Sequence, residues 1–175
     1  MSSHFSRVQL SDRGFDGFVR FAELPSTPVS SSGGVYVVLR ESDDAPTFLS
    51  RSLAGRFKGC DPSVATDVLA TAWVTGERLL YIGRAATGRD GRRGLTKRLD
   101  EYRRHGAGEP VGHWGGRYIW QLADHEDLLV AWKPTDDPTA AEADLLDEFV
   151  TDHGRLPFAN LRRGDRRSPT PLHSS

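Results

Sequence analysis

Two short apolar segments, rich in β-branched and aromatic residues, constrain the fold of this chain most strongly. Residues 33–39 are Gly-Gly-Val-Tyr-Val-Val-Leu, and residues 78–83 are Arg-Leu-Leu-Tyr-Ile-Gly. Runs of this length and composition, bounded by glycine and charged residues, are typical of buried β-strands. Each predicted strand carries one tyrosine, Tyr36 in the first and Tyr81 in the second.

Three other segments have features of helices. In residues 95–105, apolar positions recur one helical turn apart and glycines follow, so the pattern predicts a helix that ends there. Asp137 and Pro138 are typical of an N-cap and a first helical position, and they predict a helix over residues 138–153. A shorter helix is predicted over residues 61–73, capped by its Asp-Pro pair.

The remaining apolar runs complete a small sheet. Residues 117–122 and 128–132 predict the two strands of a hairpin joined by an acidic turn, and residues 157–161 are expected to pack back in extended form. The predicted fold class is therefore α+β, with three to four mainly antiparallel strands flanked by helices.

The length of 175 residues fits one domain with a substantial core. We place this domain at residues 33–163, after a lead-in of residues 1–32 and before a tail of residues 164–175 that we expect to be disordered. Residues 41–76 form a long insertion between the two tyrosine-bearing strands.

Composition indicates a cytoplasmic protein without a membrane segment. No apolar stretch approaches the ~20 residues of a membrane span, and the first residues lack the apolar core of a signal peptide. A single cysteine, Cys60, excludes an internal disulfide and fits a reducing compartment.

Charge is unevenly distributed, although the net charge is only -1. Residues 84–104 hold eight Lys or Arg against three Asp or Glu, and residues 155–167 hold five Arg against one Asp. Residues 124–152, between them, hold ten acidic residues and one Lys. A charged run can be a solvated surface, but two basic segments favour a polyanionic partner because phosphate binding depends on local cation density.

Glu142 occupies an unusual position in the predicted helix 138–153. Projected at about 100° per residue, it falls near the middle of an apolar face formed by Ala141, Leu145, Leu146, Phe149 and Val150. A carboxylate directed into a core needs a cation or a hydrogen-bond donor. An arginine would satisfy this need, and so would Mg²⁺ or Mn²⁺, since such ions take few carboxylates and keep several waters.

Four other polar residues are ambiguous when each is considered alone. Arg98 lies at the margin of an apolar helix face, where its guanidinium could bind a phosphate or cover the edge of the core. Tyr36 and Tyr81 could be packing residues or, beside cations that favour the phenolate, bases. Asn160 could bind a phosphate, position the helix of Glu142 or end a turn.

The order and spacing of these residues resemble those of the GIY-YIG nuclease superfamily. The matching segments are Gly34-Val35-Tyr36, Tyr81-Ile82-Gly83-Arg84, Leu95-Thr96-Lys97-Arg98-Leu99, Glu142 ahead of Leu145-Leu146, and Pro157-Phe158-Ala159-Asn160. They follow the family order across residues 33–161. The resemblance implies a small three-stranded antiparallel sheet flanked by helices, with one divalent metal ion.

The resemblance also implies roles for the candidate catalytic residues. Glu142 would bind one Mg²⁺ or Mn²⁺, and Arg98 would stabilise the pentacovalent phosphate. Tyr36 and Tyr81 would face the scissile phosphate, and one of them would deprotonate the attacking water. Asn160 matches the asparagine that closes the family pattern.

The chain departs from the family pattern in several places. The insertion 41–76 and the loop of residues 84–94 are longer than in compact members, so they could recognise substrate or obstruct DNA. Some relatives have a histidine one turn after the arginine, where this chain has Tyr102. Glu148 rivals Glu142 because some relatives have a shorter spacing to the final asparagine, although the helical projection favours Glu142.

We therefore predict a metal-dependent endonuclease that hydrolyses phosphodiester bonds, with DNA as the expected substrate. The residues expected to contact the nucleic acid are Arg84, Arg89, Arg92, Arg93, Lys97, Arg162 and Arg163. The alternatives are a non-catalytic nucleic-acid-binding module of the same fold, or an adaptor that binds proteins through its acidic helix and basic loop. The segment His113-Trp114-Gly115-Gly116 lacks metal-ligand spacing, and we interpret it as a structural aromatic before a strand.

Overall fold

The computed structural model describes residues 4–162. In chain order its elements are α1 (Arg7–Asp12), β1 (Asp16–Arg20), a 3-10 helix (Phe21–Ser26), β2 (Gly34–Leu39), α2 (Thr66–Ala72), β3 (Leu79–Ala85), α3 (Leu95–Gly106), 3-10 helices at Arg117–Gln121 and His125–Asp127, β4 (Leu129–Pro134) and α4 (Pro138–His153). The chain has an α+β fold, which confirms the predicted class.

The four strands form one antiparallel sheet in the order β1-β4-β2-β3. β2 lies inside the sheet, where Tyr36 is paired with Gly83 of β3 on one side and with Trp132 of β4 on the other. Every residue of β2 is buried, which explains its continuous apolar sequence. Tyr36 is thus fixed in the interior of the domain.

Helices cover both faces of the sheet. Because side chains alternate along a strand, Tyr36 and Val38 belong to the hydrophobic cluster that contains residues of α3, whereas Val35 and Val37 belong to the cluster that contains residues of α4. Side chains from opposite faces can meet only around an edge of the sheet, and β3 is one of its two edge strands.

The last helix has the ends that its sequence predicts. The Asp137 carboxylate accepts a hydrogen bond of 3.0 Å from the Ala140 amide, and Gly154 ends the helix in the left-handed conformation, with φ of 70°. Glu142 is buried on the same side of α4 as Leu145. The projection of Glu142 into the apolar face is therefore confirmed.

The predicted hairpin of residues 117–122 and 128–132 is wrong. Residues 117–121 form a 3-10 helix, while β4 has both of its sides occupied, one by β2 and the other by β1. β1 comes from residues 16–20, which we had assigned to a lead-in. Residues 1–32 thus contribute an edge strand of the sheet, and this strand is why the sheet has four strands rather than three.

The predicted start of the helix in the insertion is also wrong. α2 begins at Thr66, and its N-cap residue makes no side-chain hydrogen bond. The carboxylate of Asp61 instead accepts a hydrogen bond of 2.9 Å from the Ser63 amide. Asp commonly closes such local turns, and here the turn competes with helix initiation.

Two other predictions concern the ends and environment of the chain. The predicted disordered tail, residues 164–175, lies outside the described residues. Within residues 4–162, no helix combines the length and the apolar character that a membrane crossing requires.

Two motif glycines are required by the close approach of neighbouring atoms. A Cβ atom on Gly83 would lie 2.6 Å from the hydroxyl oxygen of Tyr36; one on Gly34 would clash first with the backbone carbonyl of Lys133 and would lie 2.8 Å from Cδ1 of Leu95. Both distances are far shorter than ordinary van der Waals contact. Gly83 therefore allows the ring of Tyr36 to lie across β3, and Gly34 allows α3 to approach β2.

We expect Gly83→Ala to lower the free energy of unfolding by about 1–3 kcal/mol, the usual cost of overpacking a core, because the fully buried Tyr36 ring has no space to move. Gly115→Ala is the matched control, since its Cβ would make an ordinary 3.4 Å contact with the Tyr81 hydroxyl. Urea unfolding should show the loss in the first variant alone; equal losses in both would contradict this account of Gly83.

Candidate functional site

One cavity brings together all five residues that the sequence predicts to be catalytic. It has a volume of about 450 Å³ and is lined by Tyr36, Tyr81, Arg84, Ala86, Arg93, Arg98, Trp114, Gly115, Glu142, Asn160, Leu161 and Arg162. The five residues come from β2, β3, α3, α4 and the segment 157–161. Side chains from both faces of the sheet thus meet beside its edge strand β3.

A second and larger cavity, of about 540 Å³, is lined by none of these residues. Its buried arginine, Arg40, donates to the carboxylate of Asp124 at 2.7 Å and to the carbonyls of Ser42 and Asp44. These bonds tie the start of the insertion to the segment between the two 3-10 helices Arg117–Gln121 and His125–Asp127, so we interpret Arg40 as structural. Size alone is a weaker indication of function than the chemistry of the smaller cavity.

The hydroxyl of Tyr36 forms a 2.6 Å hydrogen bond with Nε2 of His113, and both side chains are completely buried. Tyr81 and Arg98 also act on this hydroxyl, and each lowers the pKa of Tyr36, as hydrogen-bond donors do. The direction of the bond between Tyr36 and His113 follows the tautomer of the imidazole. When the ring proton is on Nδ1, the Tyr36 hydroxyl donates and Nε2 of His113 accepts.

Burial keeps this group of side chains neutral at ordinary pH. Loss of solvent raises the pKa of Tyr36 to about 12, despite the opposing effect of Arg98. Burial likewise raises the pKa of Tyr81 well above its usual value, with the neighbouring Tyr36 adding to the shift. Burial and the charge of Arg98 together hold the pKa of His113 well below its usual range.

Residues 112–116 form a loop that is held by the same side chains. Nη1 of Arg98 donates to the carbonyl of Gly112 at 2.9 Å, and the hydroxyl of Tyr102 donates to the carbonyl of Gly116 at 2.7 Å. The rings of Tyr102 and His113 stack with centroids 3.6 Å apart and planes only 3° from parallel. The loop is therefore anchored at both ends and at its histidine.

Glu142 is 8% exposed and forms an ion pair with Arg84, with 3.2 Å between Oε1 and Nη1. Glu148, the rival carboxylate on α4, accepts two hydrogen bonds from Arg13, of 3.0 and 2.8 Å. Glu148 is also absent from the lining of the cavity. The geometry therefore favours Glu142 as the carboxylate of the site.

A divalent ion would find a sparse set of ligands here. In the described part of the chain, no group of three or more His, Cys, Asp or Glu side chains is arranged to hold a metal. Glu142 offers a carboxylate at the cavity wall, and a hard cation such as Mg²⁺ commonly binds one or two carboxylates and completes its shell with water and substrate phosphate. The residues thus fit an ion that binds together with a phosphate, and they do not form a closed protein cage.

Asn160 holds the segment 157–161 against β3. Its Nδ2 donates to the carbonyl of Ile82 and its Oδ1 accepts from the amide of Ile82, both at 2.9 Å, while the Ala159 amide donates to the carbonyl of Leu80. The side chain thus pairs with the open edge of β3 as a neighbouring strand would. Of the roles considered for Asn160, the geometry favours positioning.

The residues predicted to contact nucleic acid fall into two groups. Arg84, Arg93 and Arg162 line the cavity, and Arg93 is held by the carboxylate of Glu101, which also binds Arg98. The side chains of Arg89, Arg92 and Lys97 are exposed and are absent from the cavity lining. Arg163 lies outside the described residues.

Sequence reasoning missed His113 and Trp114. The interpretation of this segment as an aromatic before a strand is wrong, because no strand follows and His113 bonds to Tyr36. One signal was present in the sequence: this histidine lies in a glycine-rich segment, and loops commonly carry functional side chains. Its ring stacks on that of Tyr102 in α3.

Comparison with family models, curated proteins and solved structures gave no match for this chain.

We expect acid to destabilise the protein partly through His113. The folded protein holds the imidazole of His113 neutral, with a lowered pKa. Its contribution to the free energy of unfolding is therefore complete above the ordinary pKa of about 6.5 and is lost as the pH falls towards the lowered pKa of the folded state. One such group contributes a slope of at most ~1.4 kcal/mol per pH unit.

His113→Gln offers the matched control, since glutamine retains an acceptor for Tyr36 and does not titrate. Urea unfolding between pH 7.5 and about 5 should show a shallower loss of stability for the variant than for the wild type. His105, whose pKa is also lowered by burial, is present in both proteins and cancels in the difference. Parallel curves would contradict the burial of a neutral His113.

Proposed function

We propose that this protein is a metal-dependent endonuclease of the GIY-YIG type that hydrolyses phosphodiester bonds in DNA. The observation that carries the proposal is the convergence of two phenols, a guanidinium and one carboxylate, from four separate elements, around one cavity of about 450 Å³. These are the groups that the sequence resemblance assigns to catalysis.

The charges around the cavity support a phosphate as the reacting group. Arg84, Arg93, Arg98 and Arg162 all line it, and guanidinium groups match the forked geometry of phosphate oxygens. Arg98 is held by Glu101 and the Gly112 carbonyl, so its position is set before substrate arrives. A donor fixed in advance stabilises developing charge without reorganisation in the transition state.

The hydrogen bonds support Tyr81 as the group that faces the attacking water. Both tyrosines line the cavity, but Tyr36 is completely buried whereas Tyr81 is 7% exposed. A neutral phenol can take a proton from water only if it passes its own proton on. The chain from Tyr81 to Tyr36 to His113 provides this route: water gives a proton to Tyr81, Tyr81 gives one to Tyr36, and Tyr36 gives one to Nε2 of His113.

This transfer leaves an imidazolium at His113 and a hydroxide that attacks phosphorus. As the new P–O bond forms, the bond from phosphorus to the leaving sugar oxygen breaks, and that oxygen takes a proton from solvent. The low pKa of His113 opposes the last step in the free protein, and the negative charge of a bound phosphodiester would offset part of that cost. A divalent ion at Glu142 would supply Lewis-acid stabilisation of the phosphate oxygens. Asn160 keeps β3, and with it Tyr81, aligned with the closing segment.

One observation favours a second candidate, a nucleic-acid-binding module without turnover. The ion pair between Arg84 and Glu142 partly neutralises the carboxylate that would hold the ion. If this pair persisted in the complex, the site would bind a phosphate through its arginines and would lack a metal. Cleavage assays separate the two candidates.

We expect Glu142→Gln to reduce nicking of supercoiled plasmid, in Mg²⁺ or Mn²⁺, by at least ~100-fold, because removing a group that stabilises transition-state charge commonly costs this much. Glu148→Gln is the matched control: it changes a carboxylate on the same helix that binds Arg13 and does not line the cavity. Wild-type activity in Glu142→Gln would exclude the proposed site, and salt-dependent DNA binding without nicking by the wild type would support the second candidate.

We expect Tyr81→Phe, Tyr36→Phe and His113→Gln each to lower kcat by about 10²–10⁴-fold, the usual contribution of proton transfer. The His113 variant is the most informative, because it retains a hydrogen-bond acceptor for Tyr36 but cannot carry the proton away. A kcat for His113→Gln within a few fold of the wild-type value would show that His113 only positions Tyr36. Single-turnover kinetics on a plasmid substrate would provide these values.

A further inference from the structure

Trp114 is placed differently from the other tryptophans of the described chain. Trp120 and Trp132 are buried in the hydrophobic cluster on the α3 face, and Trp73 packs against that cluster. Trp114 belongs to neither cluster and lines the cavity instead. Its half-buried indole is therefore not part of either core cluster and is available to contact a ligand in the cavity.

The contacts of Trp114 hold one side of the indole in place. The guanidinium of Arg117 lies over the ring, 4.5 Å from its centroid, and Nη1 of Arg117 donates to the carbonyl of Trp114 at 3.1 Å. Among residues 4–162, no other aromatic ring is recorded in contact with this indole. A ring has two faces, so the arrangement allows a second planar group to stack opposite Arg117.

The loop that carries Trp114 is anchored on both sides of this residue and lies next to the tyrosines of the cavity. Before it in sequence, His113 bonds to Tyr36, and after it, the carbonyl of Gly116 accepts a hydrogen bond from the hydroxyl of Tyr102. Holding an aromatic group in position before binding reduces the conformational entropy lost on association. A planar ligand group on Trp114 would therefore lie beside a phosphate bound between Tyr81 and Arg98.

We propose that Trp114 stacks on an unpaired nucleobase adjacent to the phosphate in this cavity, so that the preferred substrate is DNA with a locally single-stranded nucleotide. The inference rests on the proposed function in that both use the same phosphate site. A base inside a duplex has both of its faces covered by neighbouring bases, whereas an unpaired base offers a free face. The stacking needs no hydrogen-bond readout and would tolerate any base.

The test measures binding without metal, so that cleavage does not affect it. Short single-stranded oligonucleotides, each with one abasic nucleotide at a different position, are titrated in EDTA against the full chain. We expect one abasic position to weaken wild-type binding by about 5- to 150-fold, the range that base–aromatic stacking usually supplies. With the intact oligonucleotide, Trp114→Leu should bind more weakly than the wild type by the same factor. Removing the base at that position should then not weaken binding by Trp114→Leu any further.

Two further variants separate stacking from loss of apolar bulk or of structure. Trp114→Phe keeps an aromatic ring and should retain more affinity than Trp114→Leu, which keeps apolar bulk alone. Trp73→Phe, at the edge of the core, should leave single-strand binding unchanged. The indole of Trp114 should also be quenched on binding, and the Trp114→Phe variant should lose this signal.

The outcomes distinguish this inference from the proposed function. Three results would each overturn the inference: equal affinity for every abasic position, an equal loss of affinity in wild type and Trp114→Leu at the sensitive position, or no binding of single strands. Plasmid cleavage with any of these results would leave the nuclease proposal intact. An abasic position that weakens binding by the wild type but not by Trp114→Leu, together with no cleavage in Mg²⁺ or Mn²⁺, would support the inference and contradict the nuclease proposal.

Discussion

The hydroxyl of Tyr36 sets the arrangement of the whole site, because it lies in the interior of the sheet and needs polar partners there. An unsatisfied buried hydroxyl costs about 1–3 kcal/mol, and three side chains prevent this loss. His113 bonds to it at 2.6 Å, and Arg98 and Tyr81 lower its pKa. The candidate site is therefore built partly from the core, since Tyr36 and Tyr81 belong to the hydrophobic cluster on the α3 face.

Partners of a buried group must themselves be positioned, and this requirement extends outward from Tyr36. Arg98 is bound by Glu101, which also holds Arg93, and Arg98 in turn fixes Gly112. The loop of residues 112–116 is then held by two elements, α3 through Arg98 and Tyr102 and β2 through Tyr36. Such a network is arranged before ligand binding, and the donors need little reorganisation when charge enters the cavity.

The sequence predicted the elements whose signals are local, and it failed where a long-range contact decides. The caps of α4 and the burial of Glu142 follow from residues a few positions apart, and both were confirmed. The strand assigned to residues 117–122 was wrong because β1 already occupies the free side of β4, and no local pattern reports that competition. His113 was missed for the same reason: its partner Tyr36 lies 77 residues away.

The ion pair between Arg84 and Glu142 implies that, in the proposed nuclease, ion and nucleic acid assist each other. An ion arriving alone must draw the carboxylate away from Arg84, and the guanidinium would then lack an acceptor in a partly buried position. A phosphate provides that acceptor, and a phosphate arriving alone meets four arginines but only a paired carboxylate. Binding of either ligand would thus remove an unfavourable contribution to the binding free energy of the other. By linkage, each ligand would raise the affinity of the other by the same factor. In the proposed nuclease, ion binding at this site would therefore depend on the presence of the phosphate that the ion activates.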